Sequence, residues 1–286
     1  MASGNKIFLG SRKGFTLIEL LIVIAIIGVI SGLVVSNLSG ATDRARIAKL
    51  RVFSESVKGY LLMNRVSEWK FDEASGAFAT DTVGTSNGTL TNAPVRKSGA
   101  DCVDGGCLEF NGVTNSYVEI PDTDYLPAFS LSAWVYNVSG GDSRHSVLRD
   151  FWEVVGTQVC FWSYSFTNTY WRCSGSDAVP YDKWTHIVTT WDGSVIRHYA
   201  DGKLIWKDPN LSSGTSQRFT TIAGYNGRIF KGRLDEIRIY SQAFTSSGIR
   251  EEYLAGLNKL LAKGSISGED HQQRLSKLNL AYAASK

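Results

Sequence analysis

The sequence predicts an α+β chain: one long N-terminal α-helix, an antiparallel β-sandwich of jelly-roll type, and a short helical C-terminal tail. Three observations carry that prediction. From Phe15 to Val35 the chain is predominantly apolar and carries no charge besides Glu19, and about 20 such residues are needed to cross a bilayer core as a helix. Ile47, Leu50, Phe53, Val57, Tyr60 and Leu61 then recur at helical spacing among polar residues, so the helix continues in amphipathic form over 15–65, with its membrane half at 15–35. From Val66 the pattern changes to short alternating stretches rich in Trp, Tyr, Phe, Thr and Val, separated by Gly, Asn and Asp clusters, which is the pattern of strands and turns.

Ahead of the helix, residues 1–14 form a basic leader with Lys6, Arg12 and Lys13 and no acid. Its +3 equals the net charge of the whole chain, 30 basic minus 27 acidic residues, so the remainder is neutral and gives no signal for nucleic acid. Basic residues just before a span favour a cytoplasmic N-terminus. Arg44, Arg46, Lys49 and Arg51 beyond the span weaken that asymmetry. The acid is the unusual feature, because a carboxylate inside a membrane helix costs on the order of 2.5 to 3.5 kcal/mol unless it finds a partner. A secretory signal peptide has a shorter apolar stretch, no internal acid and a cleavage site after it rather than before. Gly28, Gly32, Ser36 and Gly40 recur every four residues and place small side chains along one stripe, where another helix backbone can approach.

Arg12-Lys13-Gly14-Phe15-Thr16-Leu17-Ile18-Glu19-Leu20 resembles the processing site of type IV prepilins and pseudopilins. The resemblance implies a prepilin leader cut between Gly14 and Phe15 by prepilin peptidase, methylation of the new N-terminus at Phe15, and assembly through Glu19, whose carboxylate pairs with the terminal amine of a neighbouring subunit. Such a pair removes each group's desolvation penalty in apolar surroundings. Many members of this family carry a proline near the position of Ser36, and this chain does not.

The expected head domain spans 66–248. Candidate strands include Leu108 to Phe110, Tyr117 to Ile120, Phe129 to Tyr136, Val159 to Tyr164, Tyr170 to Cys173, Thr185 to Trp191, Ile196 to Ala200 and Leu234 to Tyr240, with Asp192-Gly193 and Asp201-Gly202 as tight turns. So many strands over this length predict two packed sheets. The phrases Trp69-Lys70-Phe71-Asp72-Glu73, Leu108-Glu109-Phe110-Asn111-Gly112, Phe129 to Val135, Trp184-Thr185-His186 and Gly232 to Tyr240 resemble laminin G-like, concanavalin A-like jelly rolls. That resemblance implies binding of a glycan or protein ligand, or hydrolysis of a glucan by a Glu-x-Asp-x-Glu carboxylate triplet. The triplet does not occur, so no catalysis is expected. It also implies that no cofactor is required, with a structural calcium at Asp72 and Asp235 as the one metal expected; hydrogen bonding to nearby backbone is the plainer role for those acids.

Four cysteines lie in the head and allow three pairings. A hairpin folded about Phe166 and Thr167 brings Cys160 to Cys173, which leaves the local pair Cys102 and Cys107. No histidine spacing completes a zinc site with either pair. Gly84-Thr85-Ser86-Asn87-Gly88 matches a bare nucleophile-elbow pattern but lacks the flanking strand and helix, and reads as a turn. Trp134, Trp184 and Trp191 read as core, while the hairpin Phe161 to Trp171 and the loop at Phe151 and Trp152 are the aromatic candidates for a ligand surface. The tail, 249–286, predicts two helices, through Ile249, Tyr253, Leu257 and Leu260 and then Leu275, Leu278 and Tyr282, with Ser267 and Asp270 at the second start. The whole reads as a pilin-like subunit in the inner membrane before assembly and in a pilus or pseudopilus after it. The alternative is a membrane-anchored adhesin that does not polymerise.

Overall fold

A computed structural model of the chain describes residues 14–92, 94–113, 115–123, 126–139, 144–149, 151–163, 170–209, 219–224 and 229–284, the side chains of 33–43, Ser163, Tyr170, Tyr282 and Ala284 excepted. The leader residues Lys6, Arg12 and Lys13 and the hairpin turn at Phe166 and Thr167 lie outside the described residues. Two compact units divide the chain, Met1–Glu55 and Ser56–Lys286.

The first unit holds most of α1 (Leu17–Met63), a helix of 47 residues. Every described side chain from Gly14 to Gly32 is exposed. Among the described residues no helix is long and apolar enough to cross a membrane: the described apolar side chains stop at Gly32, and the rest of the expected span to Val35 lies beyond them.

Among the described residues the second unit contains sixteen strands. They are β1 (Arg65–Trp69), β2 (Phe78–Ala79), β3 (Gly88–Thr91), β4 (Val95–Ser98), β5 (Gly106–Asn111), β6 (Tyr117–Glu119), β7 (Phe129–Asn137) and β8 (Arg144–Leu148). There follow β9 (Trp152–Val155), β10 (Gln158–Ser163), β11 (Tyr170–Cys173), β12 (Trp184–Trp191), β13 (Ile196–Ala200), β14 (Lys203–Asp208), β15 (Thr221–Ala223) and β16 (Lys231–Tyr240). One eight-stranded sheet runs β14-β13-β12-β7-β16-β5-β4, with β1 also on β16; the other runs β11-β10-β9-β8-β15-β6-β3-β2. All pairings between these strands are antiparallel.

Period-two alternation places Phe129, Leu131, Ala133 and Val135 of β7 and Ile187 and Trp191 of β12 between the sheets. Their neighbours Trp134, Trp184 and Val188 point the other way, yet they too are buried. The cover is α2 (Ser246–Ala262) and α3 (Gly268–Ala284), with Leu61 at the end of α1. Tyr253, Leu257, Leu260 and Leu278 meet Trp134 and Trp184, while Leu61, Phe244 and Ile249 meet Val188, Tyr199 and Tyr240. The tail therefore packs on the head's own sheet. Its starts are capped as polar side chains at helix entries require: Thr245 accepts from the Gly248 N–H, and Ser267 from the Asp270 N–H.

Two local devices fit this double burial. In β16 the register shifts between Asp235 and Arg238, with Glu236 at φ +51°. This bulge lets Asp235 and Glu236 both avoid the apolar interior that Leu234 and Ile237 enter. In α2, Gly256 rests against the Trp134 indole, where an added Cβ would stand 2.5 Å from Cζ2. Alanine at an exposed helix site would gain up to about 1 kcal/mol over glycine, but a collision with a fully packed ring outweighs that gain. Gly256→Ala is expected to lower stability by about 1–3 kcal/mol in thermal or denaturant unfolding; unchanged or raised stability would show that the helix floats above the sheet.

Candidate functional site

The N-terminal site starts at Gly14 and Phe15, with Phe15 81% exposed. Glu19 lies in the first turn of α1 and accepts hydrogen bonds at Oε2 from the Thr16 N–H and the Thr16 hydroxyl, both at 2.8 Å. The Glu19 N–H in turn reaches Thr16 Oγ1 at 3.4 Å. This reciprocal arrangement is a capping box, a Thr-x-x-Glu signature visible in the sequence that the prepilin motif overshadowed. The acid thus has a partner within its own chain. On the small-residue stripe, a Cβ added at Gly28 or Gly32 would meet nothing within 4 Å. The helix backbone continues through Ser36 and Gly40, whose side chains lie outside the described residues.

In the head, the acids at opposite ends of the domain sequence converge on one loop. Asp72 Oδ1 accepts from the Gly106 N–H at 2.7 Å, and Asp235 Oδ2 from the N–H groups of Val103 and Asp104 at 2.7 and 3.1 Å. That loop is closed by the Cys102–Cys107 disulfide. Burial pushes the Asp235 carboxyl well above the usual carboxylate range, opposed by its two backbone donors and reinforced by the charge of Asp72. Its other oxygen, Oδ1, is buried without a hydrogen-bond partner. Glu73 does not join them, because it bonds the Thr80 N–H and Arg96. Among the described residues no group of three or more His, Cys, Asp or Glu side chains is gathered for a metal.

The aromatic candidates separate by strand parity. Phe161 enters the core beside Phe129, with ring centroids 5.6 Å apart, and Trp152 is fully buried. Both are thus removed from any ligand surface. Trp162, one residue on, faces outward and pairs across strands with Trp171 at 5.1 Å, and the Arg144 guanidinium lies 5.4 Å from the Trp171 ring centroid. The Cys160–Cys173 disulfide joins the same two strands. Arg144, on β8, was not legible as part of this group because two strands and a hairpin turn separate it from Trp171 in sequence. The Gly84 to Gly88 segment is a turn held by Asp81, which accepts from the N–H groups of Gly84 and Ser86.

Polar groups are also sealed beneath α2. Arg238 donates to Glu68 at 2.8 Å and to Glu252 at 3.0 Å, and it also pairs with Glu236. Glu252 Oε1 further accepts from Tyr240 at 2.8 Å and Ser132 at 3.0 Å, and Ser132 Oγ lies 3.0 Å from His186 Nε2. Ser132 and His186 are wholly inaccessible, so this serine, histidine and glutamate form a structural network. Burial lowers His186 to about 4, against the pull of Glu252.

His198 bridges the sandwich edge, with Nδ1 2.8 Å from Thr189 Oγ1 and Nε2 2.9 Å from the Arg172 carbonyl, beneath Trp206. Burial lowers it from 6.5 to about 4. The folded state therefore keeps His198 neutral while the unfolded chain takes up a proton near pH 6.5. Its contribution to stability is full above pH 6.5 and is lost as pH falls towards 4. His198→Gln is expected to remove on the order of 2 kcal/mol of the stability loss between pH 7 and pH 5; an equal loss of unfolding free energy in the two proteins, from urea titrations at both pH values, would contradict this.

Comparison with known proteins agrees with this geometry. Residues 9–35 match the family model described as the prokaryotic N-terminal methylation motif, and residues 111–250 that of the concanavalin A-like lectin/glucanases superfamily. No curated protein matches the chain. Among solved structures, the binding domain of Paraclostridial Mosquitocidal Protein 1 is similar at 14% identity and TM-score 0.55, covering 69% of this chain and 53% of that one. The botulinum neurotoxin serotype D ligand binding domain in complex with N-acetylneuraminic acid is similar at 9% identity and TM-score 0.56, covering 70% and 53%. Trypanosoma rangeli sialidase is similar at 17% identity and TM-score 0.50, covering 68% and 33%. The chain spans about half the length of the first two, and at these identities the likeness shows the fold alone. The chain thus joins a prokaryotic N-terminal methylation motif to a concanavalin A-like β-sandwich.

Proposed function

We propose that this protein is a pilin-like structural subunit of a type IV pilus or a type II secretion-like pseudopilus. In this reading it enters the inner membrane once, N-terminus in the cytoplasm, is cut by prepilin peptidase between Gly14 and Phe15, is methylated at Phe15, and packs with other pilin subunits while its sandwich is displayed outside the cell. The observation that supports it is the methylation motif at the head of a helix whose apolar side chains from Phe15 to Ile30 are all exposed. So much bare apolar surface requires lipid or other helices around it. The capping box favours a second reading, a tethered adhesin, because Glu19 already has a partner in Thr16. Mass spectrometry of the mature protein is expected to find N-methylated phenylalanine at position 15. Glu19→Ala is expected to abolish incorporation into fibres while leaving processing intact; unaltered fibres would favour the tethered adhesin.

In this proposal the head binds and does not hydrolyse. The outward pair Trp162 and Trp171 offers ring faces suited to a pyranose, and Arg144 offers donors beside them. An extracellular glycan is the ligand this chemistry fits. Trp171→Ala is expected to weaken the strongest glycan-array signal about ten-fold, roughly 1.4 kcal/mol; full retention would move the ligand elsewhere on the head.

We also propose a structural calcium at Asp72 and Asp235. The support is the buried Asp235 Oδ1, which lacks a hydrogen-bond partner, and the mutual repulsion of two acids on one loop. Calcium takes 6–8 oxygens, so backbone carbonyls and water would complete the set beyond the carboxylates. Calcium is expected to raise the melting temperature of the wild type relative to chelator and to leave Asp235→Ala unmoved; an equal rise in both proteins would remove the proposal.

A further inference from the structure

The cations after the apolar run have no place in the reading above. Arg44, Arg46, Lys49 and Arg51 fall within eight residues of α1 without an intervening acid, and all four are exposed. Their spacing is unlike that of a one-sided interface. At about 100° per residue, Arg44 and Arg51 share one side of the helix, while Arg46 and Lys49 lie on the opposite side. The charge therefore encircles the stem. A protein partner seated along one face would leave half of it unused, whereas a lipid surface pierced by the helix presents phosphates all around.

Position along the axis agrees. The chain is uncharged from Leu20 to Thr42, about 34 Å of helix at 1.5 Å per residue, against a hydrocarbon core of about 30 Å. A helix that crosses the bilayer with this stretch brings Arg44 and Arg46 to the far headgroup layer, with Lys49 and Arg51 one to two turns above it. Other copies of the stem are a poor match. Beyond Glu19, α1 carries only Asp43 and Glu55 as acids, too few to neutralise the ring on each neighbour.

We infer that Arg44, Arg46, Lys49 and Arg51 form a collar that binds anionic lipid headgroups in the outer leaflet and gathers them around the subunit before assembly. The inference rests on the membrane-spanning reading of α1. It also accounts for cations on the side of the span where orientation rules disfavour them, since lipid phosphates there offset their charge.

The test uses the full chain reconstituted into phosphatidylcholine vesicles carrying a trace of spin-labelled phosphatidylglycerol or spin-labelled phosphatidylcholine, with carbonate extraction as a separate check of insertion. The wild type is expected to immobilise the anionic lipid about three-fold or more over the neutral one. That preference should collapse towards parity in 0.5 M salt and in the combined variant Arg44→Gln, Arg46→Gln, Lys49→Gln, Arg51→Gln. It should survive in Arg44→Lys, Arg46→Lys, Arg51→Lys. Carbonate-resistant insertion with no preference for the anionic lipid would overturn the collar alone, as would a preference unmoved by salt and by the glutamine variant. Failure to insert at all would overturn the membrane reading and the collar together.

Discussion

Arg238 is the interaction on which the head depends. It rises from the central strand into the space beneath α2, where Glu68 of β1 and Glu252 of α2 take its guanidinium from two sides. The first strand of the head, its last strand and the helix that follows thus share one buried cation. Burial would raise the Glu252 carboxyl, but Arg238 and His186, with hydrogen bonds from Tyr240 and Ser132, hold it below the usual carboxylate range. Exchanging a whole buried ion pair for apolar groups is often harmless, whereas removing one partner strands a charge at about 3–5 kcal/mol. The network therefore specifies how the tail seats more than it adds to net stability.

That seat explains the burial pattern of the first sheet. β12 is buried at every position, since one face meets the second sheet and the other meets helices. A sandwich covered only by itself would leave one face of each sheet to water. The tail and the last turns of α1 instead create further apolar clusters on this sheet, and Gly256 allows the closest approach. The second sheet has no helical cover of this kind among the described residues.

Much of this was legible in the sequence, for physical reasons that differ by element. The long strands β7, β12 and β16 carry enough aromatic and β-branched residues to declare themselves, and both tail helices show their apolar spacing. The strands missed are short or lie at sheet edges: β4 reads Val-Arg-Lys-Ser, and β15 has three residues. An edge strand lacks the apolar alternation that double-sided packing imposes. The tryptophans expected in the core are buried, but in two different places, Trp191 between the sheets and Trp134 and Trp184 under helices. Periodicity states that a side chain is covered and is silent on what covers it. The capping box at Thr16 and Glu19 was readable, though a longer motif occupied the same residues. The Arg144 contact with Trp171 was not, because cross-strand neighbours are set by topology.

Concentrating the helices on one sheet gives the head two unlike sides. The side where the tail and the last turns of α1 sit is filled with apolar side chains and locked charges, so it has little freedom to accept a newcomer. The opposite side carries no helix among the described residues and bears the outward tryptophans. Substitutions at outward positions there would leave the packing of the tail and of Leu61 on the first sheet untouched, so that surface can vary while the scaffold is kept.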